Sequence, residues 1–406
     1  MRTIDTDVCI VGGGPSGLTL ALELVRRNLN VVVLEQAKAY TRSFRGESIS
    51  PDSVYILDKL GIMEGLGEHD VLYTRQLELF ENNQRVLHIN LSDFKYDFKY
   101  PIDVPQPVML EALIQKASQY EGFSILRGTN CTELIENGEA IVGVKCKTED
   151  EQLIINAHLT VGSDGRYSKT RDMAKCKYVK RMLERDFMWF KVPIPEHWKQ
   201  KLSYRVKIDR DSHAVVIPSY PNLLRVGFNI PKGGIQKIKA QGIQYLHEKI
   251  AQIEPDLAEG AKKSITSWSD TTILDIFMTV VPQWYREGFV LIGDAAHTLS
   301  PILGQGVNHA IFDAVTLAPF VAKALTENPG SPVKASVLKE FQAIREKDLR
   351  PIRNMQLRQE KMLTLSTNLT VSLRTIFYRL FNSSGWLKAK MWQPVYYKHQ
   401  ARDFVG

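Results

Sequence analysis

The chain has 406 residues, 44% hydrophobic and 24% charged, with 26 Gly and 18 Pro; these proportions exclude a collagenous, coiled-coil or largely disordered protein. Its length provides for two to three domains with an ample interior. The net charge of +7 suits anionic ligands, but Lys and Arg are scattered and not interleaved with aromatics, so nucleic acid is not an expected partner.

The first apolar run, Val8–Val11, follows Asp5 and Asp7 and leads straight into glycines, which predicts a short buried strand and not a secretory signal. A helix with Leu18, Ala21, Leu22 and Val25 on one face follows; Asn28 and Asn30 break it, and Val31–Leu34 forms a second buried strand. Residues 52–60 are predicted helical, ending at Gly61. Between 74 and 100 the pattern turns to alternation, in Gln76–Phe80 and Arg85–Leu91 about the turn Glu81–Gln84, which is antiparallel sheet. Leu110–Ala117 has helical period, and Ile141–Cys146 and Leu153–Val161 alternate as strands. A second sheet region covers Phe187–Ile194, Tyr204–Ile208, Ala214–Ile217 and Leu224–Ile230, with helix over 234–260. Phe289–Ile292 is another buried strand, and helix is predicted beyond 306. No run of about eighteen apolar residues predicts a membrane span. Cys9, Cys131, Cys146 and Cys176 form no CxxC pair, which points to free thiols in a reducing cytoplasm and to no metal site.

Two kinds of sheet therefore interleave. The expected fold is α/β: a Rossmann-like dinucleotide-binding domain assembled from 1–73, 101–173 and 285–340, an inserted antiparallel-sheet substrate domain from 74–100 and 174–284, and a helical region at 341–406.

Gly12-Gly13-Gly14-Pro15-Ser16-Gly17 satisfies GxGxxG between a strand and a helix. Gly12 permits the tight turn, Gly14 lets backbone approach a pyrophosphate, Gly17 allows close packing of helix on sheet, and the helix N-terminus offers unpaired N–H groups. Glu35 closes the second strand, where a carboxylate can accept from ribose hydroxyls. The motif by itself does not decide between FAD and NAD. Two further strand tips do: Gly162-Ser163-Asp164-Gly165, leading to Ser168 and Arg171, and Gly293-Asp294-Ala295-Ala296-His297, followed by Pro301, Gly304-Gln305-Gly306-Val307-Asn308 and Asp313. Asp294 at a strand tip can bind ribityl hydroxyls. The loop Gly304–Gly306 opens a helix whose N-terminus can face a flavin ring.

These three segments resemble the fingerprints of class A flavin monooxygenases, the family of para-hydroxybenzoate hydroxylase, and span residues 8 to 314. The resemblance implies an FAD-binding domain of the GR2 type. Gly12, Gly14, Pro15, Ser16, Gly17 and Glu35 would hold the ADP half of FAD, Arg45 the mobile flavin, and Gln106 the cofactor from its helix. Asp294 would be the flavin-side carboxylate, and Pro301, Gly304, Gly306, Val307 and Asn308 the wall beside the ring. Asp164 would serve cofactor and reductant binding by orienting its loop; for Asp164 and Arg171 a structural role stays open.

By the same resemblance, NADPH or NADH reduces the flavin, O₂ is trapped as a flavin hydroperoxide, and a small aromatic, lipophilic or otherwise electron-rich substrate is hydroxylated or epoxidised, in secondary metabolism. The protein positions substrate and excludes water. No second GxGxxG follows a strand, which leaves room for a separate flavin reductase. His297 is expected to be structural, while His309 is a candidate to reach the active site. Substrate candidates on the antiparallel sheet are Trp189, Phe190, Tyr204, His213, Val215, Tyr220 and Phe228. The segment Arg350–Trp392, rich in Arg and Lys with interleaved Leu, Phe and Trp, is either a membrane-touching surface or a helical cap on the FAD domain; the cap is the working expectation. A flavin-dependent halogenase and an FAD-dependent reductase share the fold. Trp189–Pro195 only echoes the halogenase segment, and the intact Pro301-x-x-Gly304-Gln305-Gly306 favours oxygen chemistry.

Overall fold

The apolar run Val8–Val11 is the inner end of a longer strand, Arg2–Val11, whose last four residues are buried. The structure, a computed structural model, describes residues 2–41, 47–67, 71–200 and 202–405. Strand Arg2–Val11 lies parallel between Val31–Glu35 and Gln152–Gly162, and Phe123–Arg127 and Phe289–Leu291 extend the parallel sheet on either side. Strands buried on both faces carry continuous apolar runs, and that is how Val31–Leu34 and Phe289–Leu291 read.

The register sets the site. Val11 pairs with both Leu34 and Gly162, and Gly162 pairs with Leu291. Three strands distant in sequence thus end on one line, and the loops after them open along one edge of the sheet. That carboxyl edge is where open α/β sheets bind ligands. Helix Pro15–Val25, almost wholly buried, packs between helices Gln106–Ala117 and Gln305–Glu327.

Strands Phe123–Arg127 and Asn130–Asn137 were not expected from the sequence. Both are largely half-buried or exposed, and Glu133, Glu136 and Arg127 interrupt their apolar alternation. Asn130–Asn137 pairs antiparallel with Ala140–Lys147, which pairs in turn with Gln152–Gly162.

The second sheet has seven strands in the order Thr272–Leu274, Arg185–Pro193, Leu223–Pro231, Ser212–Ser219, Tyr204–Asp209, Gln76–Glu81 and Gln84–Asn90. All pairs are antiparallel except Tyr204–Asp209 with Gln76–Glu81, which is parallel. One face is covered by helices Ile235–Lys239, Gly242–Ile253 and Ala258–Ser264. The predicted single helix over 234–260 is divided where Gly242 takes a positive φ of 79° and where Pro255 starts a short 3-10 turn. Met188, Phe190, Val192, Val226 and Phe228 fill the core beneath these helices.

The helices after Ala335 do more than cap one domain. Ala335–Leu363 packs on Gln305–Glu327, Asn368–Ser383 packs on strand Gln84–Asn90 of the second sheet, and Lys398–Val405 packs on helix Pro51–Lys59. Buried Arg374 joins them to the sheet: its Nε and Nη2 donate to Glu81 at 2.7 and 2.6 Å, and its other N–H groups reach the carbonyls of Met362, Leu365 and Arg210. Removing one member of such a pair strands the other charge without water. Arg374→Met is therefore expected to lower stability by about 3–5 kcal/mol. Lys38→Met, at the exposed pair with Glu149, should cost less than about 1 kcal/mol. Chemical denaturation of both variants checks this; equal losses would show that Arg374 carries no special weight.

Candidate active site

Gly12 has a φ of +112°, and a Cβ there would lie 2.3 Å from the Ser163 carbonyl oxygen; at Gly17 it would lie 2.1 Å from that of Gly12. These two glycines are required by the protein's own packing. Gly14 differs, since a Cβ there would meet nothing within 4 Å. It faces open space at the start of helix Pro15–Val25, whose N-cap makes no side-chain hydrogen bond. Free first-turn N–H groups beside an open backbone make a cradle for an anion such as a pyrophosphate. Glu35 is fixed beside it, accepting from Gly13 N (2.8 Å) and Ala37 N (2.7 Å), while the Tyr40 hydroxyl donates to Gly13 O.

In the second loop all the carboxylate capacity of Asp164 is taken up locally. It accepts from the Ser168 and Thr170 hydroxyls (2.5 and 2.7 Å) and from the Lys169 and Thr170 amides (2.7 and 2.9 Å). These bonds shape the turn that meets the cavity, and Asp164 itself borders that cavity. Arg171 is buried, donates to Ala295 O at 3.0 Å and lies under the Tyr178 ring, tying the second loop to the third.

In the third loop Asp294 stays open to the cavity, with Arg166 at 3.6 Å. Behind it Asp313 accepts from Gly293 N (2.7 Å), meets His297 Nε2 (2.6 Å) and takes Arg345 Nε (2.6 Å). Burial opposes ionisation of Asp313, but His297 and Arg345 outweigh it and hold the carboxyl well below its ordinary range. Leu303 and Gly304 are both left-handed (φ 63° and 60°), a strained state for Leu303. They turn the chain into helix Gln305–Glu327, whose N-cap Gly304 again carries no side-chain cap. Asn308 pins this turn, donating to Gly304 O and accepting from Ser50 N, both at 2.8 Å.

His309 does not reach this space. It lies on the far side of the helix, where Arg345 Nη2 meets its Nδ1 at 3.0 Å. Arginine only donates, so Nδ1 is an acceptor and the imidazole is neutral; burial and then Arg345 push its pKa well down. Arg45 lies outside the described residues.

The three loops border one cavity of about 940 Å³ that runs from the glycine cradle, past Gln106, Pro301, Gly306 and Val307, to the second sheet. Side chains alternate faces along a strand. Arg185, Phe187 and Trp189, then His213, Val215 and Ile217, then Arg225 and Asn229 look into the cavity; their neighbours Phe190 and Phe228 look the other way, into the second core. Tyr220 also lies off the cavity, its amide donating to Asp103 at 3.4 Å. Gly227 is required under the rings: a Cβ there would lie 2.4 and 2.6 Å from Phe187 and Trp189.

The sequence reading missed lining residues of two kinds, the floor residues Arg185, Phe187, Ile217, Arg225 and Asn229 and a group from the C-terminal helices. Arg225, the one charge in the strand LLRVGFNIP, donates to Glu47 (2.8 Å), Ser48 (2.8 Å) and Asp103 (3.4 Å), all buried or half-buried. A lone arginine in an apolar strand was the available signal. The other group, Met355, Glu360, Tyr378, Trp392 and Tyr396, comes from the C-terminal helices. Helical period alone could not say which face met a cavity. Burial pushes the Tyr204 hydroxyl up to about 12 against the opposing charge of Arg225, and holds His213, with help from Arg185 and Arg374, down to about 3. Both are neutral at physiological pH. Among the described residues no His, Cys, Asp or Glu cluster is arranged to hold a metal ion.

A cavity of this volume that joins the glycine cradle to the small-residue loop Gly304–Gly306 fits a flavin dinucleotide. Residues 5–346 match the family described as FAD binding domain. The chain is 30% identical over 372 residues to 6-methylpretetramide 4-monooxygenase of Streptomyces rimosus, covering 91% of this chain and 87% of the relative. It is 24% identical to 3-hydroxybenzoate 6-hydroxylase of Klebsiella oxytoca, over 82% of each chain. Its fold is similar to that of p-nitrophenol 4-monooxygenase from Pseudomonas putida DLL-E4, with a TM-score of 0.80 and 18% identity over 98% of each chain. The chain belongs to this FAD-binding family, and it is an FAD-dependent monooxygenase of the class A, aromatic-hydroxylase type.

The glycines make separable predictions. Gly14→Val should leave the apo fold intact yet weaken FAD binding by about a hundredfold or more, because the pyrophosphate needs the backbone at contact distance. Gly12→Ala should instead destabilise the fold. Flavin titration with denaturation of both proteins decides; unaltered FAD affinity in Gly14→Val would refute the cradle. His213 carries a pH signature. The folded chain declines a proton that the unfolded chain takes up below about pH 6.5. His213 therefore costs nothing above that pH and destabilises as pH falls toward 3, by about 1.4 kcal/mol per unit. Unfolding of wild type and His213→Gln between pH 7 and about 4 should show a shallower loss in the variant; parallel curves would mean that the folded imidazole titrates like the unfolded one.

Proposed function

We propose that the substrate is a lipophilic, electron-rich aromatic, hydroxylated in the part of the cavity between the flavin wall and the seven-stranded sheet, with NADPH or NADH as reductant. The observation that carries this reading is the single cavity linking the glycine cradle to an aromatic, apolar floor. The named activities of the two relatives, on 6-methylpretetramide and 3-hydroxybenzoate, support an aromatic substrate and leave its charge to be argued from the floor.

When bound, FAD supplies the redox chemistry, taking electrons from NAD(P)H and activating O₂ for oxygen transfer. Gly12, Gly14, Pro15, Ser16, Gly17 and Glu35 would hold its ADP half, Asp294 and Gln106 its middle, and Pro301, Gly304, Gly306, Val307 and Asn308 the ring; Arg45 is retained as a flavin contact. The uncapped N-terminus at Gly304 directs N–H groups and the positive end of the helix dipole at this wall, which favours negative charge there. Trp189 and the adjacent Phe187, 4.8 Å apart between ring centres, offer a stacking surface for an aromatic ring. Tyr204 and His213 offer uncharged hydrogen-bond partners. Glu47 and Asp103 neutralise Arg225, and Asp211 lies 3.7 Å from Arg185, so among the described residues of the floor no uncompensated cation calls for a carboxylate. A neutral phenolic substrate suits that floor better than a benzoate. The free cysteines accord with a reducing cytoplasm, and a separate flavin reductase remains an alternative source of electrons.

The test is NADH and NADPH oxidation by the FAD-loaded protein with a panel of neutral polycyclic phenols and of benzoates, with product mass and H₂O₂ followed together. The expected result is faster oxidation with the neutral phenols and a product heavier by one oxygen atom. Stimulation by benzoates alone would overturn the substrate class, and a requirement for halide would overturn oxygen insertion. Trp189→Ala is expected to raise KM about tenfold or more, with less change in the substrate-free rate.

A further inference from the structure

Helix Asn368–Ser383 has two apolar faces. One is inward: Val371, Tyr378 and Phe381 are buried with Arg374. The other faces solvent. Leu369, Leu373, Ile376, Phe377 and Leu380 recur at i, i+4, i+7, i+8 and i+11, the spacing of one helical stripe, and all are 51–71% exposed. Trp386, on the next helix Gly385–Tyr396, is 66% exposed. These six are nearly half of the thirteen large hydrophobic residues exposed among the described residues. Surface helices of globular proteins bury their apolar stripe, and a contiguous exposed one marks an interaction surface.

The charge around the stripe selects the partner. From Lys361 to Arg402 the sequence holds seven Lys and Arg and not one Asp or Glu. Arg374 is buried against Glu81. Arg379 and Lys390 are exposed beside the stripe, and Lys390 lies 4.7 Å over the Trp386 ring. An apolar stripe rimmed by cations and lacking acids is what an interfacial helix presents to anionic lipid: apolar side chains enter the acyl boundary, a Trp sits at headgroup level, and long basic side chains reach the phosphates. A homodimer would set the same cations against each other, with no acid of this segment to meet them. No helix among the described residues is long and apolar enough to cross a membrane, so the contact would be peripheral.

We infer that the outer face of helices Asn368–Ser383 and Gly385–Tyr396 docks on an anionic membrane surface. The inner faces of these helices place Tyr378, Met391, Trp392 and Tyr396 on the cavity. One helical layer therefore separates the docking face from the substrate space, an arrangement suited to a substrate that partitions into lipid. The docking surface itself does not depend on the substrate assignment.

The experiment is co-sedimentation of the full-length, FAD-loaded protein with vesicles of phosphatidylcholine alone and of equimolar phosphatidylcholine and phosphatidylglycerol, at low and high salt. Binding is expected to the anionic vesicles and to weaken with salt. The double substitution L373E/F377E should reduce it at least about tenfold, while thermal midpoint, FAD content and substrate-free NAD(P)H oxidation stay at wild-type values, because both side chains already face solvent. K390E should weaken binding to anionic vesicles and leave binding to phosphatidylcholine unchanged. Two outcomes overturn the inference: no sedimentation with either vesicle, or a dimer in sedimentation velocity that L373E/F377E dissociates, which would make a second copy of the chain the occupant.

Discussion

Three hydrogen bonds just past the strand ends carry the geometry of the site. The amide of Gly12 donates to Leu34 O, that of Ser163 to Val11 O and that of Ile292 to Gly162 O, at 2.8, 2.8 and 3.0 Å. In each case the chain leaving one strand is bonded to the tip of its neighbour. The parallel register thus extends into the loops, which turn over the sheet edge at fixed spacings. A slip of register would move the glycine cradle, the Asp164 turn and the Asp294 tip relative to one another. The close approach of Gly12 to Ser163 forbids a side chain at that crossing. A ligand as long as a dinucleotide needs contacts many residues apart in sequence to be correct together, and these bonds make them so.

Buried charge secures the third loop from behind. Asp313 is ionised in the interior because three groups converge on it: the Gly293 amide, His297 and Arg345. Isolated, it would be costly; fully paired, it fixes orientation. It ties the strand tip that carries Asp294 to helix Gln305–Glu327 and to Arg345 of helix Ala335–Leu363. His309 and Asp348 complete the arginine's contacts. The two histidines of this region thus hold the scaffold, and the open carboxylate facing the cavity is left to Asp294. Leu303, held left-handed between Pro301 and Gly304, is the strained residue of the wall, where backbone strain accompanies function.

The substrate end is built from unlike parts. The sheet supplies a floor whose period of two divides cavity residues from core residues, and Gly227 leaves the space that Phe187 and Trp189 fill. Arg225 is held by acceptors from the first domain, Glu47, Ser48 and Asp103, so the network that neutralises it also fastens the two sheets together. The C-terminal helices close the remaining side. Their attachment through Arg374 and Glu81 couples the lid to the outer strands of the floor.

The sequence by itself determined four of the five parallel strands, all but Phe123–Arg127, and the ligand they bind. Apolar runs ending in glycines are local signals, and the small residues at Gly12–Gly17, Gly162–Gly165 and Gly293–Gly306 follow from a backbone that must pass close to a flat ring and a pyrophosphate. It also determined that alternating strands form a second sheet. The facing of those strands was decided only by tertiary structure. Alternation separates Trp189 from Phe190 but does not say which of the two sides is core, because both sides of this sheet are covered. Likewise His309 and Asp294 both sit in flavin-side segments, and only the packing of helix Ala335–Leu363 turns one into a buried partner of Arg345 and leaves the other at the cavity. The role of the C-terminal helices needed the fold as well, since a helix with two apolar faces shows in sequence only as a general excess of hydrophobic residues.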